Sequence, residues 1–202
     1  MTNGKTLSMA GLCFLVVQAC AGAPQAIEAP RGEPFPAGWQ AAAPREEIRP
    51  SFAFDARGGP QRNGAFVIVT GDSVAQHGWF QKAFPVDGGK FYRFEAVRKT
   101  ENVAVPRRCA PVRIVWQDAA GKAVRAEPPA GRENEAGPIP LAEPEHPLDD
   151  PADPQGWTSV AGVYRAPSKA TQAVVELHLQ WTPLGRVSCS EVTLAESQPP
   201  PS

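Results

Sequence analysis

From Ser51 onward the chain carries short apolar runs separated by Gly, Pro, Asn and Asp, and within several runs apolar and polar residues alternate strictly. A period of two places successive side chains on opposite faces of an extended strand. The pattern predicts eight strands, over 51–56, 65–70, 78–84, 90–98, 109–117, 157–165, 173–181 and 187–195. The seventh is the clearest: Val175, Leu177, Leu179 and Trp181 share one face, expected to be core, while Val174, Glu176, His178 and Gln180 share the other, expected to be wet. The same rule turns Tyr92, Phe94 and Ala96 inward and Phe91, Arg93 and Glu95 outward, and it buries Val112, Ile114 and Trp116 while exposing Arg113 and Gln117. Outside the first residues no 12-residue window keeps a 3.6 period, and the 23 prolines would interrupt one.

Turn chemistry agrees with strands. Asp87-Gly88-Gly89 and Asp118-Ala119-Ala120-Gly121 separate strand-like runs, and glycine there supplies the positive φ of a tight reversal. Two stretches lack any period. Residues 22–50, rich in Pro, Ala and charge, read as a linker or surface arm without regular structure; residues 127–156, rich in Pro and acids, read as a long loop joining the fifth and sixth strands. The expected organisation is a single jelly-roll β-sandwich over 51–196, of about eight antiparallel strands, and a Pro-rich tail over 197–202.

The N-terminus carries an address. Lys5 precedes the apolar run from Leu7 to Val17, which leads into Ala19-Cys20-Ala21-Gly22-Ala23: charge, apolar segment and small residues, the order of a secretory signal over 1–21. The run is shorter than the roughly 20 residues that cross a bilayer. Val17-Gln18-Ala19-Cys20 also resembles a bacterial lipobox, which would make Cys20 a lipidated first residue and leave a lipid anchor as the membrane contact. Either route leads to a secreted, periplasmic or cell-envelope protein, in a compartment where Cys109 and Cys189 would form one disulfide; two separate thiols are the alternative.

Composition removes some functions. The 202 residues hold 20 basic and 21 acidic side chains, a net charge of −1, without the basic field that nucleic acid selects. His77, His146 and His178 lie far apart in sequence and no zinc motif is present. No cofactor is expected; Asp149, Asp150 and Asp153 supply hard oxygen atoms for a structural calcium, against the alternative of solvated loop acids. Cys189, on a terminal strand without a neighbouring base, reads as structural, and Glu95 and Glu176 read as acids of solvated sheet faces. The chain is therefore not expected to be an enzyme.

One resemblance narrows the reading. Gly88-Gly89-Lys90-Phe91-Tyr92-Arg93-Phe94, followed by Val112-Arg113-Ile114-Val115-Trp116-Gln117-Asp118 and Gly121, is similar to the core of galactose-binding-like jelly rolls, including endoglucanase-C type carbohydrate-binding modules. It looks most like the N-terminal jelly roll that precedes a carbon-nitrogen hydrolase domain in planctomycete-type exported proteins, with no segment here expected to supply that hydrolase's Glu, Lys and Cys. The resemblance implies a non-catalytic extracytoplasmic binding module for carbohydrate or glycoconjugate. Its alternatives are a structural domain docking a cell-envelope protein, and an accessory domain to a hydrolase elsewhere. Sugar sites combine exposed rings with a few planar polar groups. By face parity the candidates are Phe91, Arg93, Glu176, His178 and Gln180.

Overall fold

The computed structural model describes residue 1, residues 33–128 and residues 138–200. The signal segment and Cys20 lie outside the described residues, Met1 apart, as does the middle of the long loop. Among the described residues ten strands form two antiparallel sheets, and the chain is a jelly-roll β-sandwich. In chain order they are β1 (Gln40–Ala42), β2 (Ser51–Asp55), β3 (Ala65–Val69), β4 (His77–Pro85), β5 (Phe91–Glu101), β6 (Val112–Gln117), β7 (Leu148–Asp149), β8 (Trp157–Arg165), β9 (Gln172–Gln180) and β10 (Arg186–Ser197), with a one-turn helix, α1 (Pro106–Cys109), between β5 and β6. The four-stranded sheet runs β1-β4-β9-β6 and the six-stranded sheet β2-β3-β10-β5-β8-β7.

All eight strands expected from the alternation are present. Their inward residues close the sandwich: Tyr92, Phe94 and Ala96 from one sheet meet Val112, Ile114, Trp116, Val175, Leu177 and Leu179 from the other. Phe80, fully enclosed, is ringed by Phe35, Phe52 and Phe66 with centroids 5.0–5.2 Å away. Burying one such side chain contributes about 2–3 kcal/mol. Both turns are built as their glycines require: Gly89 (φ +82°) follows β4, and Gly121 (φ +74°) follows β6, where Asp118 and Lys122 close the reversal.

Four expectations are corrected. The described part of the 22–50 segment, residues 33–50, is not without structure, because Trp39 is buried against Phe66 at 4.4 Å and the following β1 pairs with β4. The 127–156 stretch contributes β7, and its Glu145 exchanges backbone hydrogen bonds with Ile114, covering the free edge of β6; pairing that edge satisfies backbone groups that periodicity does not reveal. Trp181 does not point into the core. It lies beyond the end of β9 with φ +55° and is 53% exposed. Cys109 and Cys189 are both free thiols: Cys189 is a core residue of β10, opposite Phe66 and Arg98, whereas Cys109 is half-buried at the end of α1. Burial pushes the Cys189 thiol up to about 12, against a smaller opposing influence of the Arg98 charge.

Candidate functional site

The outer face of the four-stranded sheet carries the richest chemistry. Register places Gln40, Gln81, Glu176 and Arg113 side by side in one row across β1, β4, β9 and β6. The next row holds Ala42, Trp79 and His178, and the one beyond it His77 and Gln180. On the other side, Val115 and Val174 form an apolar floor next to Gln117 and Gln172. A cleft of about 260 Å³ lies over this surface, lined among others by Gln40, Gln81, Gln117, Gln172, Val174 and Glu176.

These side chains are held before any ligand arrives. The Trp79 indole donates to the Gln81 side-chain oxygen at 2.8 Å and stacks on the His178 ring, centroids 5.2 Å apart and planes 27° from parallel. His178 Nε2 lies 3.0 Å from a Glu176 oxygen and its Nδ1 lies 3.1 Å from His77 Nε2. A carboxylate only accepts, so Nε2 of His178 donates to Glu176, and Nδ1 accepts from the N–H of His77; this assignment leaves His77 Nδ1 as the acceptor at the open end. Arg113 completes the line, its Nε 3.7 Å from the same Glu176 oxygen.

The ring of His178 belongs to the outward face, yet it is 2% exposed. Trp79 covers it, and the α1 segment folds over the sheet end, where the His178 amide donates to the Pro111 carbonyl and Gln180 Nε2 donates to the Arg108 carbonyl. Burial therefore lowers the His178 pKa, more than the bond to Glu176 and its charge raise it. His77 is lowered as well, by burial first and then by the charges of His178 and Arg113. Both rings favour the neutral form, which preserves the hydrogen-bonded line from His77 to Glu176.

Of the five residues expected from face parity, this surface gathers Glu176, His178 and Gln180. Phe91 and Arg93 are on the far side of the molecule: they face outward from β5 in the six-stranded sheet, opposite Ser197 and Ala195 of β10, and Arg93 pairs with Glu95 at 3.6 Å. Parity tells which way a side chain points from its own sheet but not which sheet that is. Trp79, Gln81 and His77, not among those five candidates, did carry a signal: β4 alternates with Phe80 inward, so its odd positions share one outward face.

The calcium candidates are not gathered. Asp149 pairs with the buried Arg98 at 2.7 Å, and the Asp153 carboxylate accepts from the Gln155 and Trp157 amides. Among the described residues no three His, Cys, Asp or Glu side chains are grouped to hold a metal, and no helix is long and apolar enough to cross a membrane.

No protein-family model matches the chain, and no curated protein matches it. Solved structures do. The enzymatically active domain of tailspike protein 4 from bacteriophage CBA120 matches over 80% of this chain and 20% of its own, at 14% identity and a TM-score of 0.55. The sandwich is what they share. The CBM22-1–GH10 modules of Clostridium thermocellum endo-1,4-beta-D-xylanase 10B, complexed with xylohexaose, match over 80% of this chain and 26% of their own, at 11% identity and a TM-score of 0.50. The chain thus spans about a fifth and a quarter of those two proteins. A C-terminal family 22 carbohydrate binding module of the same xylanase matches over 79% of this chain and 86% of its own, at 15% identity and a TM-score of 0.46.

Proposed function

We propose that the outer face of the four-stranded sheet is a non-catalytic carbohydrate-binding surface of an exported protein. The observation that carries this reading is the cross-strand row Gln40–Gln81–Glu176–Arg113 beside the stacked Trp79 and His178 rings. Sugars offer hydroxyl groups that donate and accept in fixed directions, and amide, carboxylate and guanidinium groups are the planar partners for them. Here those partners stand on strands, with Gln81 held by Trp79 and Glu176 held by His178, so little side-chain freedom is lost on binding. The likeness in fold to xylanase modules complexed with xylohexaose supports the reading. Export is proposed from the charge, apolar run and small residues between Lys5 and Ala23, and lipidation at Cys20 would tether the module to the envelope.

A broad glycan array tests the proposal, with the wild-type chain, Gln81→Ala and Phe91→Ala side by side. Loss of one well-placed polar contact costs about 1–2 kcal/mol, so Gln81→Ala is expected to weaken binding roughly five- to thirtyfold. Phe91→Ala, on the opposite sheet, leaves binding unchanged. Silence of the folded wild-type chain on the array overturns the reading and moves the face to a protein partner of the envelope; loss of binding in Phe91→Ala moves the site to the other sheet.

A further inference from the structure

The turn after β9 holds a residue that turn chemistry does not select. Trp181 sits at φ +55°, a left-handed conformation in which a bulky L side chain is a rare outlier and glycine or asparagine the ordinary occupant. Burial does not offset the strain, because the ring is 53% exposed. The backbone is pinned there: the Trp181 amide donates to the Gln76 carbonyl at 3.1 Å. Non-glycine residues held this way concentrate at ligand clamps and switches.

The ring's neighbours connect it to the candidate face. It lies 6.4 Å from the His77 ring, which in turn lies 5.3 Å from Trp79 and 5.4 Å from His178, so the aromatic row continues past the end of the strand. Arg108, on α1, places its guanidinium carbon 5.7 Å from the Trp181 ring centroid, and Gln180 holds the Arg108 backbone at 3.0 Å. An exposed indole with a guanidinium held over one face has its other face to offer to the C–H face of a pyranose.

We propose that Trp181 is a separate stacking subsite of this face, taking a pyranose ring on the side of the indole opposite Arg108 and kept exposed at a conformational cost to the fold. The inference rests on the reading of the face as carbohydrate-binding. Its test uses the full chain on an array of neutral and acidic hexasaccharides that includes xylohexaose, with Trp181→Ala, Trp181→Gly and Trp181→Phe, and thermal unfolding of each. Both Trp181→Ala and Trp181→Gly are expected to lose affinity about tenfold or more, and Trp181→Phe to stay within about threefold of wild type. Only the glycine removes the strain as well as the ring, so Trp181→Gly unfolds about 2–5 °C above Trp181→Ala. A tryptophan with a merely structural role would give variants whose binding follows their stability. Wild-type silence overturns the face reading and this inference together. Wild-type binding that Trp181→Ala and Trp181→Gly retain overturns this inference alone, and a glycine variant no more stable than the alanine variant overturns the conformational cost.

Discussion

The neutral histidine line makes folding stability depend on pH in a direction that can be worked out. His178 is 2% exposed, donates to Glu176 and accepts from His77, and its pKa is lowered from 6.5 mainly by burial. Below pH 6.5 the unfolded chain takes up a proton at this histidine while the folded chain, with its lower pKa, resists. The unfolded state then binds more protons, so stability rises with pH across that window and falls as pH drops toward the folded value. The limit is about 1.4 kcal/mol per pH unit, or about 2 kcal/mol by pH 5 for a ring that stays neutral in the fold. His77 acts in the same direction with a smaller effect, being nearer the solvent. The groups facing the pair are Glu176 on β9, which favours protonation, and Arg113 on β6 with His146 on the long loop, which oppose it. Urea unfolding of wild type and His178→Gln at pH 7.5, 6.5, 5.5 and 5.0 measures the effect. His178→Gln loses stability at every pH through broken contacts, but its loss between pH 7.5 and 5.0 is expected to be smaller than that of wild type by up to about 2 kcal/mol. Equal losses, within about 0.3 kcal/mol, would refute the reasoning.

Two further outcomes follow from the described geometry. In the native protein from Gly22 onward, at pH 7.5, a thiol reagent is expected to modify Cys109 and spare Cys189, whose burial pushes it up to about 12; an untreated sample denatured without reductant is expected to show two thiols, from Cys109 and Cys189, and a count of zero would restore the disulfide. Asp149→Ala removes the partner of Arg98, a guanidinium only 3% exposed, and is expected to cost about 2–4 kcal/mol in urea unfolding, of which Arg98→Met in the same chain recovers a substantial part; a single variant within about 1 kcal/mol of wild type would show that the pair contributes little.

The alternation of apolar and polar residues was enough to place eight strands and most of the core. Periodicity reports burial directly, and in Tyr92, Phe94, Val112, Ile114, Leu177 and Leu179 burial is unambiguous. Its resolution ends where an element is short or where packing from elsewhere changes the exposure. Strand β1 has three residues, too few to show a period, and forms because Trp39 anchors it. Val174 and His178 were legible as outward residues, but their burial comes from Trp79, β6 and α1.

The composition of a sheet face was legible; the partnership between strands was not. Glu176, His178 and Gln180 share a strand, so the sequence alone put them on one face. Gln81 and Arg113 reach Glu176 from positions 95 and 63 residues away only because β4 and β6 flank β9 in one sheet, while β5 carries Phe91 and Arg93 to the other. A strand's period is a local property of its backbone. Which strands become neighbours depends on hydrogen bonds and packing between distant segments, and that is where the Gln40–Gln81–Glu176–Arg113 row came into being.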